Sequence, residues 1–146
     1  MDWPVTYQRK IRYSDTDAQK IVFNGNYLTY IDDTLTDYFD AMGGAWDDMH
    51  DQGYDIVLGH IGIDFRSPAR LGETILTGIK AVEVGNTSLR FAIRVWEKDS
   101  DRTIIDGTAV HVVVDASTLE KRPVPEVLLR GIEVLQGGRV PTRPVA

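Results

Sequence analysis

The sequence predicts an α+β fold in which one long helix lies across an antiparallel sheet of about five strands. Apolar residues recur at steps of three and four in one long segment only, residues 26–42, and this period is typical of an amphipathic helix. Most of the remaining chain alternates between apolar and polar residues, as half-buried strands do, with turn-forming residues between these segments. The length of 146 residues fits a single domain with its own core.

A sharp change of period separates the first strand from the long helix. Residues 5–13 (VTYQRKIRY) alternate and are rich in β-branched and aromatic side chains, so they predict a strand that ends in a Ser-Asp-Thr-Asp turn. Gly43 and Gly44 are expected to end the helix. The side chains that we expect to face the sheet form one apolar stripe, which consists of Leu28, Ile31, Leu35, Tyr38 or Phe39, and Met42.

Four further strands are predicted after a polar, aromatic connector over residues 45–55. In these segments apolar and polar residues alternate, or β-branched residues predominate. Gly85 and Asn86 are expected to form a tight hairpin turn in the middle of this region, because both residue types tolerate positive φ. The predicted strands lie near residues 61–66, 74–84, 89–96 and 103–115.

The chain is expected to close with a short helix over residues 125–135, in which Pro125 takes the first position. The sequence thus predicts one domain over residues 1–136 and a loose C-terminal tail over residues 137–146. A single long helix cannot cover every apolar position of such a sheet. We therefore expect a second copy of the chain to pair edge to edge or back to back with the first, as a homodimer or homotetramer.

Composition and charge exclude several classes of partner. The chain carries 22 acidic and 16 basic residues, a formal net charge of −6, so it has no broad basic field for nucleic acid or for an anionic membrane. Its apolar runs are shorter than the roughly 18 residues that a membrane helix needs, and its first residues do not begin a signal peptide. The chain has no cysteine, which suits a reducing compartment. We therefore predict a soluble, cytoplasmic protein.

The sequence predicts no metal site and no cofactor. Thiolate ligands are excluded because cysteine is absent, and His50, His60 and His111 do not form a metal-binding spacing such as H-x-x-x-H. A Ser/His/Asp triad is not supported either, because no G-x-S-x-G turn occurs. His111 lies in an apolar run (AVHVVVD), where a hydrogen-bonded structural histidine is as good an interpretation as a functional one.

Two aspartates, Asp15 and Asp17, precede the long helix, where a short acidic side chain suits either capping or catalysis. The stretch RYSDTDAQKIVFNGNYLTYID (residues 12–32) resembles hotdog-fold acyl-CoA thioesterases of the 4-hydroxybenzoyl-CoA thioesterase type, whose signature runs approximately Asp-x-Asp-x-x-Gly-x-Val-aromatic. FRSPARLGE (65–73) is similar to the family's strand end and turn, and VVDASTLEKRPVPE (113–126) is similar to its last strand and short helix. These motifs, in this order, cover most of the chain.

The resemblance implies a hotdog fold, in which the sheet wraps around the long central helix, and an enzyme that hydrolyses a thioester of coenzyme A. Asp17 matches the family's catalytic aspartate, which attacks the thioester carbonyl or acts as a general base on water, and the sequence leaves both roles open. Asp15 is the alternative carboxylate, but in an extended turn it should point the other way. Unpaired N–H groups at the helix start, including that of Asn24, are expected to hold the oxyanion.

Aromatic and basic residues are the candidates for substrate binding. Phe23 and Tyr27 bracket the helix start and can line an apolar slot, although aromatic residues at this spacing are also typical of plain core. Coenzyme A carries phosphates, so exposed cations should gather near the site, and Arg66, Arg70 and Arg90 are the candidates. In a hotdog dimer we expect both chains to wall the acyl pocket, with the nucleotide over cations of the neighbouring subunit.

Lys20 stands where the family signature has glycine, a replacement that suits only a backbone that does not require positive φ. Its side chain is expected to be exposed, to place a cation near Asp17, or to contact a ligand phosphate. Two alternatives to acyl-CoA hydrolysis stay open: a thioesterase for acyl chains bound to a carrier protein, and a non-catalytic module that binds acyl groups. The sequence does not name the acyl group.

Overall fold

A five-stranded antiparallel sheet carries one long helix and two shorter ones. The computed structural model describes residues 2–43 and 46–143, apart from the side chains of Trp46 and Asp47. The strands are β1 (Val5–Lys10), β2 (Tyr54–Phe65), β3 (Thr74–Val84), β4 (Ser88–Glu97) and β5 (Thr103–Asp115). The helices are α1 (Asn26–Ala41), α2 (Trp46–Asp51) and α3 (Glu126–Gln136), and a 3-10 turn (Tyr13–Asp15) follows β1.

The order of the strands places β1 and β2 at the two edges of the sheet. Across the sheet the order is β1-β3-β4-β5-β2, and every neighbouring pair is antiparallel. The hairpin between β3 and β4 turns at Gly85, whose N–H donates to the carbonyl oxygen of Ser88 at 2.8 Å. The predicted α+β fold with a five-stranded antiparallel sheet is confirmed.

Helix α1 packs against β1 and β3 and supplies much of the core. Tyr38 and Phe39 are completely buried and meet edge to face, with ring centroids 5.7 Å apart. Gly43, just past the helix, has a φ of +73°, a conformation that glycine adopts without strain, whereas Gly44 lies outside the described residues. The buried face of the helix consists of Tyr27, Tyr30, Ile31, Thr34, Leu35, Tyr38 and Phe39.

Leu28 does not face the sheet, contrary to the prediction from the apolar stripe. Its side chain is 45% exposed, whereas Ile31 and Leu35 on the same stripe are 4% and 6% exposed. Met42 packs partly buried against the main core, as expected. Leu28 lies in the first turn of α1, at the flank of the stripe, where it is only partly covered. Periodicity identifies an apolar helix face, but the surrounding elements decide how far that face is buried.

The segment between α1 and β3 differs from the prediction in two respects. The expected connector contains helix α2, which is too short and polar to show an amphipathic period, although Met49 within it is only 3% exposed. Strand β2 begins at Tyr54, well before residue 61, because its first half buries Tyr54 and Ile56 and then runs exposed along the sheet edge. Buried and exposed residues do not alternate regularly over residues 54–60, so the pattern that predicts a strand is interrupted in the first half of β2.

Residues 140–143, within the predicted tail, pack on the sheet, and residues 144–146 of that tail lie outside the described residues. Helix α3 ends at Gly137, which has a φ of +74°. Strand β1 pairs with β3 only as far as Ile79, so the edge of β3 near Val84 is open to another segment. The N–H of Val84 donates to the carbonyl oxygen of Pro141 at 2.9 Å, and Val84 accepts from the N–H of Arg143 at 2.8 Å. The open edge of β3 is thereby capped.

Candidate active site

The segment between β1 and α1 folds back on itself before the helix begins. The N–H of Asp17 donates to the carbonyl oxygen of Ile21 at 3.0 Å, and the N–H of Phe23 donates to that of Asp15 at 2.9 Å. Residues 15–17 and 21–23 therefore run antiparallel, and a tight turn at 18–20 joins them. We call residues 15–25 the helix-entry loop. Within this loop Lys20 has a φ of +60°, so the turn does require positive φ at the position where the family signature has glycine.

Asp17 presents a partly free carboxylate at the start of this turn. It is half-buried, and its Oδ1 accepts a hydrogen bond from the N–H of Gln19 at 2.8 Å, which holds the side chain over the turn. No other described residue donates a hydrogen bond to this carboxylate, and Lys20 makes no ion pair within the described part of the chain. Oδ2 is therefore available to a ligand or to a water molecule.

Asp15, the alternative catalytic carboxylate, is buried and fully engaged. It is 5% exposed, and its oxygens accept from Arg9, from the hydroxyl of Tyr30 at 2.7 Å and from the N–H of Arg12 at 2.8 Å. Burial by itself would raise the pKa of Asp15, but the hydrogen bonds from Arg9, Tyr30 and Arg12 outweigh it and hold the pKa below its ordinary value. Asp15 has no lone pair left for a substrate, which distinguishes it from Asp17.

The start of α1 leaves two backbone donors unpaired. Among residues 2–43 and 46–143 no group accepts from the N–H of Asn24 or Gly25, whereas the next N–H, that of Asn26, donates to the carbonyl oxygen of Phe23 at 2.9 Å. Free N–H groups at a helix N-terminus lie at the positive end of the helix dipole and attract negative charge. The helix-entry loop thus contains both a free carboxylate oxygen and donors for an anion.

An aromatic cleft of about 320 Å³ lies beside the helix start. Tyr27 and Phe65 form its aromatic walls, with ring centroids 6.0 Å apart at an angle of 60°. Phe65, at the end of edge strand β2, is 58% exposed, so the cleft is open toward the sheet edge. The cleft is lined by Ile21, Val22, Asn24, Tyr27, Phe65, Arg66, Ser67 and Pro68.

The loop after β2 forms the other side of the cleft and is fixed by two sets of contacts. The N–H of Val22 in the helix-entry loop donates to the carbonyl oxygen of Ala69 at 2.9 Å. Arg102, directly before β5, donates to the carbonyl oxygen of Pro68 at 3.1 Å and to both carboxylate oxygens of Glu73 at 3.0 Å. The helix-entry loop and the loop after β2 therefore form the two sides of the cleft and are joined by a hydrogen bond.

The structure brings together some of the predicted site residues and separates others. Asn24, Tyr27 and Arg66 line the cleft. Asp17 does not line it, but its backbone pairs with Ile21, which does. Phe23 is 52% exposed with its ring over Gly25, where an added Cβ would lie 2.9 Å from the ring.

The two remaining arginine candidates differ in their distance from the cleft. Arg70 is exposed on the loop that walls the cleft and forms a β-bridge with Ile21. Arg90 lies on β4 with its guanidinium 3.9 Å from Glu83, opposite Val110 of β5. Asp106, the ion-pair partner of Arg66, is four residues from Val110 along β5, a separation of about 13 Å. Within one chain Arg90 is thus remote from the cleft.

Sequence reasoning missed Phe65 and the ion pair between Arg9 and Asp15. The motif FRSPARLGE contained a signal for Phe65, since it is similar to the family's strand end and turn. No local signal identifies the ion pair, because Arg9 lies on β1 and reaches Asp15 only through the fold of the 3-10 turn.

Within the described ranges, no three histidine, cysteine, aspartate or glutamate side chains come close enough to hold a metal ion. None of the helices that the structure describes is long and apolar enough to cross a membrane.

Comparisons with known proteins agree with this architecture. A family model described as thioesterase superfamily matches residues 19–104, so Asp17 lies just before the matched range. The chain is 23% identical over 129 residues to a 1,4-dihydroxy-2-naphthoyl-CoA hydrolase of Nostoc punctiforme, covering 88% of this chain and 86% of that protein. It is 23% identical over 128 residues to the acyl-CoA thioester hydrolase YbgC of Escherichia coli O157:H7, covering 87% and 91%. A thioesterase from Thermus thermophilus, crystallised with coenzyme A and Zn, has the same fold, with a TM-score of 0.79, 24% identity and 98% coverage of both chains.

Proposed function

The chain belongs to the thioesterase superfamily, and from this premise we propose that it hydrolyses acyl-CoA thioesters with Asp17 as nucleophile or general base. Its sheet and α1 form the hotdog fold, and it is a thioester hydrolase. One observation carries the assignment of roles. The free oxygen of Asp17 and the free N–H groups of Asn24 and Gly25 occur in one braced loop, beside an aromatic cleft.

The chemistry requires an attack on the thioester carbonyl and stabilisation of the oxyanion that forms. As a general base, Asp17 takes a proton from water while the water oxygen bonds to the carbonyl carbon. As a nucleophile, its carboxylate bonds to that carbon directly, and water later hydrolyses the resulting anhydride. On either route the carbon–sulfur bond breaks, and the thiolate of coenzyme A leaves and takes up a proton. The N–H groups of Asn24 and Gly25 are suited to donate to the oxyanion.

The cleft is suited to the acyl group and its rim to the nucleotide. Tyr27 and Phe65 offer apolar ring surface to the acyl group, and Arg66 and Arg70 are exposed cations at the rim. Arg66 already lies 3.5 Å from Asp64 and 3.4 Å from Asp106, so it can contribute only modestly to phosphate binding. We propose that Arg90 contacts the nucleotide only from a neighbouring subunit of a homodimer or homotetramer. The absence of cysteine from the sequence favours a cytoplasmic location.

The direct test compares Asp17→Asn with Asp115→Asn. Both aspartates accept N–H bonds within a turn, and Asp115 does so at the end of β5, where it accepts from the N–H groups of Ser117 and Thr118. Asn keeps the size and hydrogen-bonding shape of Asp but lacks the charge. We expect Asp17→Asn to lower kcat on an acyl-CoA by a factor of about 10² to 10⁴, and Asp115→Asn to leave it unchanged.

The panel of substrates in this assay consists of acyl-CoAs of several chain lengths, aryl-CoAs and an acyl carrier protein ester. Full activity in Asp17→Asn would remove Asp17 from the mechanism. Hydrolysis of the carrier-protein ester alone would favour the carrier-protein alternative, and hydrolysis of no thioester would favour the non-catalytic module.

The role of the cations is tested by the double substitution Arg66→Ala/Arg70→Ala. Exposed phosphate contacts act on the ground state and the transition state alike, so KM for an acyl-CoA should rise modestly with little change in kcat. An N-acetylcysteamine thioester has no nucleotide and should be hydrolysed as before. Equal losses on both substrates would show that the two arginines are structural and that the nucleotide binds elsewhere.

A further inference from the structure

The carboxylate of Asp15 is the meeting point of three segments of the chain. Arg9 of β1 donates to it through Nε at 3.1 Å and Nη2 at 2.9 Å, and Tyr30 of α1 donates its hydroxyl at 2.7 Å. The N–H of Arg12, before the 3-10 turn, donates at 2.8 Å. The guanidinium of Arg9 also lies 5.3 Å from the centre of the Tyr30 ring, so these two side chains support each other.

The backbone carbonyl of Asp15 connects the same residue to the start of α1. It accepts from the N–H of Phe23 at 2.9 Å and from the side-chain amide of Asn26 at 2.8 Å. Phe23 directly precedes Asn24 and Gly25, the residues with free N–H groups. Asp17 follows Asp15 by two residues and is itself tied to Ile21. Asp15 is therefore linked to both sides of the site: one residue of chain separates it from Asp17, and its carbonyl oxygen holds Phe23 directly before the free donors. The hydrogen bond between Asp17 and Ile21 is a second connection, which does not involve Asp15.

We propose that Asp15 is a positioning residue, which sets the distance between the Asp17 carboxylate and the N–H groups of Asn24 and Gly25 through its contacts with Arg9, Tyr30 and Asn26. The inference rests on the proposed function, since it assigns to Asp15 the alignment of groups that act together on one thioester carbonyl. Asp15 itself touches no substrate, because its oxygens are occupied and it is 5% exposed. Alignment of reacting groups is worth large factors in rate, and a displacement of about 1 Å can cost about 10²-fold.

A matched pair of tyrosines on α1 separates positioning from plain stability. Tyr30 is 3% exposed and donates its hydroxyl to Asp15, and Tyr38 is completely buried and donates its hydroxyl to Gln136. Tyr30→Phe and Tyr38→Phe therefore remove the same atom from the same helix, each with one hydrogen bond. The ring of Tyr30 stays in place under Arg9 in the first variant. Only Tyr30→Phe loosens the contact that holds Asp15.

The experiment measures kcat and KM on an acyl-CoA, together with the urea midpoint, for both variants. We expect similar shifts in the midpoint, but a kcat lower by about tenfold or more in Tyr30→Phe only, with KM nearly unchanged. Arg9 supplies a second, graded test at a half-exposed position. Arg9→Lys keeps the charge but loses the bidentate contact, and Arg9→Gln loses both the charge and the contact. We therefore expect a lower kcat in Arg9→Lys than in the wild type, and a still lower kcat in Arg9→Gln.

Equal kcat values in Tyr30→Phe and Tyr38→Phe, or in Arg9→Lys and Arg9→Gln, would overturn the inference and leave Asp15 a purely structural ion pair. Parallel changes in KM and kcat would do the same. Failure of the proposed function gives a different result. In that case Asp17→Asn retains activity, whereas failure of this inference leaves Asp17→Asn inactive and the two tyrosine variants alike.

Discussion

Lys20 occupies a backbone conformation that its side chain disfavours. Its φ is +60°, and a left-handed conformation costs a residue other than glycine about 1–2 kcal/mol. Its backbone N–H donates to the carbonyl oxygen of Asp17 at 2.9 Å, but its side chain is exposed and makes no ion pair within the described part of the chain, so no side-chain ion pair compensates this cost. The departure from the family signature is therefore a local strain in the helix-entry loop.

We predict that Lys20→Gly raises the free energy of unfolding by about 1 kcal/mol, because glycine adopts positive φ without the steric penalty. Lys10→Gly is the matched control, since Lys10 is exposed in strand β1 and has no positive φ. In a strand the same substitution should lower the free energy of unfolding. Urea denaturation measures both, and a loss of stability in Lys20→Gly would show that the lysine side chain stabilises the loop.

The side chain of His111 is buried in the core, where burial disfavours its charged form. It is 6% exposed, and among the described residues no group hydrogen-bonds to its Nδ1. Its ring meets Phe91 edge to face, with centroids 5.5 Å apart. Burial lowers the pKa of His111 to about 4 from its ordinary value of 6.5. The sequence favoured a hydrogen-bonded structural histidine at least as much as a functional one; the structure buries the ring but shows no hydrogen bond to Nδ1 among the described residues.

The expected consequence is a loss of stability between pH 6.5 and pH 4. Over this range the unfolded chain binds a proton at His111 and the folded chain does not, so protonation favours the unfolded chain. His111 therefore does not reduce the free energy of unfolding above pH 6.5, and reduces it progressively as the pH falls below 6.5. By about pH 4.5 the loss should reach about 2–3 kcal/mol. Urea unfolding at several pH values measures it, and His111→Phe should flatten the profile. An unchanged profile in that variant would assign the pH dependence to other groups.

At the scale of elements, the contact between β2 and β5 depends on a glycine. An added Cβ at Gly107 of β5 would clash with the carbonyl oxygen of Gly62 in β2, a backbone atom that cannot move aside as a flexible side chain would. The two strands can approach this closely only without a side chain at residue 107. This pairing positions β2, and with it Phe65 at the wall of the cleft.

We predict that Gly107→Ala lowers the free energy of unfolding by about 1–3 kcal/mol, the usual cost of overpacking. Gly138→Ala is the control, because an added Cβ there meets nothing within 4 Å and Gly138 has no positive φ. It should change stability by less than about 0.5 kcal/mol. Thermal or urea unfolding of both variants provides the comparison, and equal stabilities would mean that β2 shifts freely relative to β5.

At the scale of the whole molecule, one chain leaves apolar surface exposed around an unpaired sheet edge. Strand β2 has no partner on its outer side within the described part of the chain, and Leu58 in it is 50% exposed. Phe65 at its end and Leu28 at the start of α1 are 58% and 45% exposed. An unpaired edge with apolar side chains is suited to pair with another strand.

We therefore predict a homodimer, or a dimer of such dimers, by light scattering at micromolar concentration. Leu58→Asp should yield monomers with reduced hydrolysis, because the acyl pocket is expected to be walled by both chains. Val134→Asp on α3 is the control, since Val134 is 82% exposed near the end of α3, where it lines a surface cavity with Arg139 and Thr142 and with no residue of β2. Monomeric wild-type protein, or a Leu58→Asp variant that stays oligomeric, would contradict assembly through this edge.

Patterns that depend on neighbours along the chain were predictable from the sequence alone. The period of residues 26–42 identified α1 to within a residue at its end, the alternation identified the strands, and the motif around Asp17 identified the family. These features are local because a helix face, a strand face and a turn are each set by residues a few positions apart.

Features that depend on contacts between distant segments were decided only by the tertiary structure. The exposure of Leu28 and the early start of β2 depend on which elements cover them. Asp15 and Asp17 have the same side chain two residues apart, yet one meets Arg9 and Tyr30 and the other keeps an oxygen free. Such differences arise because burial and hydrogen bonding are set by whatever the fold brings alongside, which no spacing within a short motif records.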